Sequence, residues 1–327
     1  MVEASDAELA RHILFQTLGE DPAELPIYIG EGSVNIVFSA EISGATLAVR
    51  IAKELGDLGE FENERCNIQR AARAGVPVAN VLQVGQMAGR PYMIQSFVLG
   101  RTGDKSDIPQ SELWRQLGEY AHLIHTVNAE PSGAELTDQE RKQYTVDAPA
   151  EWIKFVQYNI EQLTPNDPML GLGVYESSER GALIQIFREL QQSQFEFGLI
   201  HNDLDPRHLI VSNSGSKTLI DWGESIAHIV PHVDLAEILR WHQPQDDAVV
   251  SFLHGYGMSS QTFQRLLPEV RSYQLLKSFD LVRWAKEHRP WQIDAYARRA
   301  AADVGGVLRG TTVRTEQGRV LEESYVV

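Results

Sequence analysis

Hydrophobic and polar positions along the chain change their period about one hundred residues from its start. Apolar residues at helical spacing over 9–18 follow a capping box at 5–8 and predict a first helix. Short runs rich in Val, Ile and Phe then predict strands at 27–30, 35–42, 45–51, 81–86 and 91–97, with a helix at 60–74 between the third and fourth. Ser43-Gly44 predicts a tight hairpin turn. Residues 1–100 are therefore predicted to form a β-rich domain.

Beyond Gly100–Asp104, which we take as the domain boundary, the hydrophobic period is that of helices. The predicted helices are 111–127, 150–163, 179–197, 233–241, 245–256, 260–267, 270–287 and 291–308. Prolines and glycines predict a mobile loop at 164–175, and the absence of any period predicts a loose tail at 311–327. Residues 101–327 are therefore predicted to form a second, larger and mainly helical domain, which makes the fold class α+β.

Composition and charge narrow the classes of partner. The chain has 327 residues, of which 43% are hydrophobic and 23% charged, and these values are typical of a folded globular protein. Its formal net charge of −16 disfavours nucleic acid as a partner, because binding to phosphate backbones requires a basic face. The same charge would attract a cationic substrate, although many acidic proteins carry it only for solubility.

Cysteine content and the N-terminal residues bear on the compartment. The one cysteine, Cys66, cannot form an intramolecular disulfide or a cysteine-rich zinc site. The first residues are acidic and lack the cationic-then-apolar order of a signal peptide, and no apolar run reaches the ~18 residues of a membrane span. We therefore expect a cytoplasmic protein with no membrane partner.

Two aspartates carry the strongest chemical signal in the chain. Asp203 follows the apolar run Phe197–Ile200, and Asp221 follows a second apolar run, eighteen positions later. Metal-assisted phosphoryl transfer needs two such carboxylates. One orients and deprotonates the attacking hydroxyl, and the other holds magnesium on the nucleotide phosphates. These two aspartates are therefore candidates for metal-assisted phosphoryl transfer.

The surrounding motifs, His201-Asn202-Asp203 and Ile220-Asp221-Trp222-Gly223, resemble those of the aminoglycoside and macrolide phosphotransferases, a family of protein-kinase-like small-molecule kinases. The resemblance implies a bilobal protein-kinase-like fold, with a small β-rich N-lobe (1–100) that binds nucleotide and a helical C-lobe (101–327) that binds the acceptor. It also implies that Asp203 is the catalytic base and that Asp221 binds Mg²⁺.

His208 stands where the resembled family carries a magnesium-binding Asn, five positions after the catalytic Asp. The macrolide branch resembles this chain in having His there, which implies that His208 is the second metal ligand. A neutral imidazole can coordinate a metal through one nitrogen, although Mg²⁺ prefers oxygen. The alternative is a solvent-facing loop residue.

The resemblance extends to the residues expected to bind nucleotide. Arg50 stands at the place of the lysine that clamps the α- and β-phosphates, and Glu64 is expected to orient it; Lys53 and Glu62 are the alternatives. A glycine-containing turn is expected to cover the phosphates, and the segment after the fifth strand is expected to bind the base. The residues concerned are Gly30, Gly32 and Ser33 for the turn, and Gln95, Phe97 and Val98 for the segment.

The acceptor site is the least defined part of the prediction. We expect it to be lined by residues 147–196 together with Asp205, Glu224, Asp234, Glu237 and Trp241. Acidic side chains there suit an aminoglycoside. Aromatic side chains suit a macrolide or another bulky acceptor, and the candidates are Trp152, Phe155, Tyr158 and Tyr175. The sequence contains both acidic and aromatic candidates and does not distinguish between these two kinds of acceptor.

Together these features predict an O-phosphotransferase that uses ATP or GTP with Mg²⁺ and acts on a hydroxyl of a small molecule, an antibiotic being one candidate acceptor. One alternative is a metabolic kinase for choline, a sugar amine or an amino alcohol. The other is a catalytically silent nucleotide-binding module, for which His208 and Arg50 are the only arguments, since each replaces a more usual residue.

Overall fold

The computed structural model describes residues 4–32, 34–127 and 148–310. The predicted tail at 311–327, Ser33 and the side chain of Ser5 lie outside this part of the chain. Contacts group the described residues into two units. The first comprises the described parts of Met1–Leu113 with Asp205–Ser225, and the second comprises those of Trp114–Leu204 with Ile226–Leu321.

The first unit is built on an antiparallel five-stranded sheet in the order β1-β2-β3-β5-β4. Its strands are β1 Ile27–Glu31, β2 Asn35–Ile42, β3 Ala45–Ala52, β4 Val81–Met87 and β5 Arg90–Ser96, with helices α1 Ala4–Leu18 and α2 Gly59–Arg73. Ala10, Ile13 and Leu14 of α1 pack against the buried, alternate residues of β2 and β3. All five predicted strands are confirmed.

The predicted hairpin turn is also confirmed. Ser43 and Gly44 have φ values of +51° and +78°, and Ile42 pairs with Ala45. Two successive left-handed residues form the two-residue turn whose twist matches that of the flanking strands. The turn therefore sets the register of β2 and β3, which places Arg50 of β3 opposite Val37 of β2.

A smaller sheet of the first unit includes residues from both of its chain segments. It pairs β6 Arg101–Thr102 with β8 Leu209–Val211 and β8 with β9 Lys217–Leu219, and a single 3₁₀ turn at Pro206–His208 precedes β8. Leu219 N–H also donates to Pro77 O at 2.9 Å. These pairings explain why Asp205–Ser225 groups with the N-terminal residues. A lobe boundary near residue 100 therefore stays a prediction.

The second unit is mainly helical. Its helices are α3 Gln110–His125 (from Trp114 onward), α4 Ala148–Gln162, α5 Pro168–Gly171, α6 Arg180–Gln192, α7 His232–Trp241, α8 Asp247–Tyr256, α9 Ser260–His288 and α10 Ile293–Leu308. The strands β7 Glu196–Ile200 and β10 Ile226–Val230 form an antiparallel pair. The predicted α+β class, β-rich first and helical afterwards, is confirmed.

One long helix replaces the two that the sequence predicted on either side of Pro268. The helix α9 runs without interruption from Ser260 to His288. Phe263, Leu267 and Val270 are all buried, so the apolar face is continuous across the proline. Packing of that face outweighs the loss of one backbone hydrogen bond at an exposed position.

Two further predictions are corrected between residues 164 and 200. The helix predicted at 179–197 ends at Gln192, and the strand β7 follows it. The stretch 164–175 contains the short helix α5 and is fixed by the buried Asp167, which accepts hydrogen bonds from Met169 N–H and from the Tyr175 hydroxyl at 3.0 Å. Arg283 lies 3.5 Å from the same carboxylate. A buried polar network of this kind leaves no periodic signature in a sequence.

None of the helices in the described ranges combines the length and apolar character that a membrane span requires.

His228 lies in an aromatic cluster in the core of the second unit. Its ring centroid is 5.7 Å from that of Trp152 and 5.7 Å from that of Tyr273. Burial lowers the pKa of His228 to about 4, and the nearby ammonium of Lys277 acts in the same direction. The imidazole is therefore neutral in the folded protein, whereas in the unfolded chain it takes up a proton near its ordinary value of 6.5.

This difference predicts a pH-dependent loss of stability. The contribution of His228 is fully present above pH ~6.5, because both states are then neutral, and it declines by up to about 3 kcal/mol as pH falls to about 4. Urea unfolding between pH 4 and 7 measures this change. His228→Phe should remove that share of the pH dependence. His254→Gln, at an exposed histidine, should leave the dependence intact, and the same slope in His228→Phe as in the unsubstituted protein would contradict the assignment.

Candidate active site

Each of the two predicted aspartates follows a strand. Asp203 stands three residues after β7 and belongs to the second unit, and Asp221 stands two residues after β9 and belongs to the first. Short strands fix the backbone on the N-terminal side of both carboxylates. Their positions relative to strands agree with the sequence analysis, while their catalytic roles stay predictions.

In the first unit, His208 and Asp221 are brought together by the backbone. Ile220 N–H donates to His208 O at 2.9 Å, so the residue before Asp221 is tied to the end of the 3₁₀ turn. The His208 Nε2 atom lies 3.5 Å from Asp221 Oδ2. Trp222 is buried, and its Nε1 donates to Leu219 O at 3.2 Å.

This pair of side chains fits a divalent cation. Asp221 has a φ of +66°, a left-handed conformation that Asp tolerates better than most residues, and its side chain is 53% exposed. A reachable carboxylate oxygen next to an imidazole nitrogen supplies two ligand types that divalent metals accept. The carboxylate is the harder ligand and the one that Mg²⁺ favours.

Arg50 and Glu64 form a buried ion pair in the first unit. Arg50 Nη1 donates to Glu64 Oε1, and the side chains are 12% and 4% exposed. Burial by itself would lower the pKa of Arg50, but the charge of Glu64, the hydrogen bond that Arg50 donates to Glu64 and the charge of Asp221 raise it above its ordinary value. The guanidinium also lies over the Phe61 ring at 5.5 Å. The structure thus shows the pairing expected from the sequence and places Arg50 within the field of Asp221.

The two alternative residues have other partners. Lys53 Nζ lies 3.5 Å from Glu31 on β1, and Glu62 accepts from Arg65 Nε at 2.6 Å. Both pairs are more exposed than the Arg50 pair. Of these two cations, Arg50 is therefore the one that forms the more buried ion pair and interacts electrostatically with Asp221.

The glycines expected to cover the phosphates are open to their surroundings. Gly32 N–H donates to Asn35 O at 2.9 Å, which closes the turn between β1 and β2. A Cβ added at Gly30 or Gly32 would meet no atom within 4 Å, so packing inside the chain does not require glycine at either place. Ser33, the third residue of that prediction, lies outside the described residues.

The segment expected to bind the base contains an unsatisfied polar atom. Gln95 Oε1 is buried and has no hydrogen-bond partner among the described residues. Phe97 N–H donates to Thr46 O at 3.1 Å, which fixes the chain just after β5, and Val98 is half-buried. Buried acceptors are nearly always satisfied in native proteins, so Gln95 is a candidate partner for a ligand donor.

Asp234 is buried, so its carboxylate is not open to an acceptor. We placed it in the acceptor site, but it is 1% exposed and its oxygens are occupied. Oδ1 accepts from Asn202 N–H at 2.8 Å, and Oδ2 accepts from His125 Nε2 at 2.8 Å and His201 N–H at 3.4 Å. Asp234 therefore positions the loop that carries Asp203, whose neighbour Asn202 has a φ of +67°.

The charge state of Asp234 follows from these contacts. Burial raises the pKa of its carboxyl, but the hydrogen bond and charge of His125, the charge of His201 and the Asn202 amide hold the pKa below its ordinary value. The carboxylate is therefore ionised at neutral pH and can only accept, so His125 Nε2 donates to it. The other ring nitrogen, Nδ1, lies 3.0 Å from the Tyr256 hydroxyl.

The other residues expected at the acceptor site differ in their surroundings. Asp205 caps the 3₁₀ turn by accepting from Arg207 N–H at 2.8 Å, and Glu224 is exposed. Glu237 pairs with Arg240 at 3.0 Å, and Trp241 lies under the Arg299 guanidinium at 5.8 Å. Of the aromatic side chains, Trp152 and Tyr175 are buried in the core, so they cannot form the acceptor surface that we expected of them.

Comparison with known proteins identifies the class. Residues 28–273 match the Phosphotransferase enzyme family (APH), and the chain belongs to that family. It is therefore a kinase-type phosphotransferase of small molecules, and the predicted resemblance is confirmed. No curated protein matches the sequence significantly.

Solved structures of this family share the protein-kinase-like fold at low identity. Aminoglycoside phosphotransferase APH(4)-Ia has a TM-score of 0.62 at 18% identity, covering 95% of this chain and 100% of that one. A variant of it was solved with AMP-PNP and hygromycin B, with a TM-score of 0.61 at 20% identity over 92% and 99% of the two chains. Spectinomycin phosphotransferase APH(9)-Ia, with ADP and spectinomycin, has a TM-score of 0.56 at 15% identity over 90% and 94%.

The contacts of Asp234 predict the effect of removing its charge. Asp234→Asn should lower the free energy of unfolding by about 3 kcal/mol or more, because His125 and two backbone amides lose an ionised acceptor in a buried site. Urea unfolding at pH 7 measures the loss. Asp247→Asn, an exposed carboxylate at the start of α8, is the control and should change stability by less than about 0.5 kcal/mol. Equal losses in the two variants would show that the loop does not depend on Asp234.

Proposed function

We propose that the protein transfers the γ-phosphoryl group of ATP or GTP to a hydroxyl group of a small molecule. One observation carries this proposal more than any other: a buried arginine on β3 is paired with Glu64 and interacts electrostatically with Asp221, which lies beside His208. A fixed cation and a carboxylate that can hold a metal are the groups that a nucleotide polyphosphate requires.

Asp203 is the proposed catalytic base. Its carboxylate would accept the proton of the acceptor hydroxyl while that oxygen bonds to the γ-phosphorus and the bond from phosphorus to the β,γ-bridging oxygen breaks. ADP or GDP leaves, and the phosphate ester remains on the acceptor. The contacts of Asp234 with His201 and Asn202 support this role, because they hold the backbone just before Asp203 in one conformation.

His208 and Asp221 are the proposed ligands of Mg²⁺. When bound, the ion would neutralise charge on the phosphate oxygens. Arg50 would contact the α- and β-phosphates, and its pairing with Glu64 keeps the guanidinium in one direction before nucleotide arrives. An Arg at this position retains the charge that a Lys would supply.

The remaining nucleotide contacts are proposed from the turn and the segment after β5. The amides near Gly30 and Gly32 would cover the phosphates, and Gln95, Phe97 and Val98 would hold the base, with the unsatisfied Gln95 oxygen accepting from it. Because ATP and GTP are the proposed donors, we place the protein in the cytoplasm.

The acceptor is proposed only as a hydroxylated small molecule. Hygromycin B and spectinomycin are ligands of the neighbours, whose identities to this chain are 15–20%. An antibiotic and a metabolite such as an amino alcohol therefore both remain candidates. Turnover of nucleotide with a panel of acceptors, followed by mass measurement of the product, separates them.

Loss of the proposed base should stop turnover without loss of nucleotide binding. Asp203→Asn should lower kcat by about 10²-fold or more, since no group would accept the hydroxyl proton, while nucleotide affinity changes little. Formation of ADP or GDP and a fluorescent-nucleotide titration measure the two quantities. Asp107→Asn, at an exposed position near α3, is the matched control and should retain both. Parallel loss of binding and turnover in Asp203→Asn would refute the role.

Loss of the proposed metal ligand should change the magnesium requirement. Asp221→Asn should raise the Mg²⁺ concentration for half-maximal turnover by at least about 10-fold or abolish turnover, because the remaining imidazole is a poor ligand for this ion. Activity measured against Mg²⁺ concentration at fixed nucleotide provides the test. The Asp107→Asn control should show the unsubstituted curve, and an unaltered curve for Asp221→Asn would exclude it as a ligand.

A further inference from the structure

Asn35 joins the two elements of the first unit that are proposed to hold the nucleotide phosphates. It is the first residue of β2, and its backbone oxygen accepts from Gly32 N–H at 2.9 Å, which closes the glycine-containing turn. Ile36 and Phe38, on either side of the next position of β2, pack into the core against α1. Because side chains alternate along a strand, the half-buried Asn35 side chain lies on the other face of the sheet.

On that face, the Asn35 side chain contacts the guanidinium of Arg50. Arg50 pairs with Val37, the second residue after Asn35 on β2, so the two polar side chains are diagonal neighbours. In the amide orientation that satisfies both of its terminal atoms, Asn35 Oδ1 accepts from Arg50 Nη2 at 3.2 Å, and Nδ2 donates to Val34 O at 3.2 Å. The amide is thus fixed to the backbone at one end and to the cation at the other.

Arg50 is therefore held at both of its terminal nitrogens. Nη1 donates to Glu64, Nη2 donates to Asn35, and one face of the guanidinium lies against the Phe61 ring. A contact at Nη1 alone would leave the guanidinium plane free to turn about that bond, whereas the second contact fixes the plane. A guanidinium has more N–H donors than these contacts use, so donors remain for phosphate oxygens.

A lysine at position 50 could not be held in the same way. Its ammonium has a single nitrogen, which cannot occupy the places of Nη1 and Nη2 at the same time. The Asn35 amide is therefore suited to the arginine that this chain carries where the family resemblance implies a lysine.

We propose that Asn35 is a positioning residue for the nucleotide phosphates, because it holds the second terminal nitrogen of Arg50 and ties it to the glycine-containing turn. Asn35 acts through Arg50 and through the turn, and it needs no contact of its own with nucleotide. This inference rests on the proposed function, in which Arg50 contacts the α- and β-phosphates. Displacement of Asn35 would then disturb both phosphate-binding elements.

Selective loss of phosphate binding tests this role. Asn35→Ala removes the side-chain acceptor and keeps the backbone oxygen that closes the turn. Affinity for the donor nucleotide should fall by about 10-fold or more, the loss expected for one hydrogen bond to a charged group. Affinity for the corresponding nucleoside, adenosine or guanosine, should not change, because a nucleoside has no phosphate. Competition against a fluorescent nucleotide measures both.

Two comparisons make the test specific. Asn213→Ala, at an exposed position between β8 and β9, is the matched control and should bind nucleotide and nucleoside like the unsubstituted protein. In an Arg50→Lys background, Asn35→Ala should change nucleotide affinity by less than about 2-fold, because the contact that it removes is already absent. With an acceptor that is turned over, Asn35→Ala should raise the KM for nucleotide and leave the KM for the acceptor unchanged.

The inference and the proposed function fail in different ways. Equal losses of nucleotide and nucleoside affinity in Asn35→Ala, or the same loss with and without Arg50→Lys, would overturn the positioning role and leave the phosphotransferase proposal intact. An unsubstituted protein that binds neither nucleotide nor nucleoside would overturn the proposed function, and the positioning role with it.

Discussion

The loop that carries the proposed base depends on one buried carboxylate. Asp234 accepts from two successive backbone amides and from His125, which lies more than one hundred positions earlier in the chain. A buried charge is tolerated only when it is fully hydrogen-bonded, and that condition fixes all its partners at once. The backbone of residues 201 and 202 is therefore held by a buried residue of α7.

The first unit also contains a buried charged group whose partner is fixed, the Arg50–Glu64 ion pair. Arg50 and Glu64 satisfy each other in a site that would otherwise be costly for either, and Asp221 adds to the field that keeps Arg50 charged. The same residues are those that a polyphosphate and its metal would need. Because the ion pair already exists without nucleotide, little side-chain entropy is lost when nucleotide binds.

Local sequence patterns explain why the strands and the hairpin turn of the first unit could be predicted. The strand-like runs in residues 27–97 and the turn at Ser43-Gly44 are local signals, so the five strands and the hairpin between β2 and β3 followed from the sequence. Arg50 and Glu64 were expected from the family resemblance, and the structure pairs them, while their contact with nucleotide stays a prediction. The strand β10 was missed because its pairing partner β7 lies elsewhere in the sequence. The helix across Pro268 was missed because packing of its apolar face outweighed the tendency of proline to end a helix.

Contacts between residues that are distant in sequence could not be predicted. Asp167 and Arg283, for example, meet across more than one hundred positions, and no spacing rule connects them. Trp152 and Tyr175 were expected to line the acceptor site, but both are buried. Burial depends on packing partners that the local sequence does not show. The burial of Asp234 belongs to the same class of feature, so the sequence did not show that its carboxylate is enclosed.

The aromatic cluster around His228 has a spectroscopic consequence. Lys277 contributes to the low pKa of this imidazole, so removing the ammonium by Lys277→Met would shift the titration of the ring towards its ordinary range. The proton resonances of His228 would thus serve as an internal reporter of the charge at position 277. That reporter needs no label.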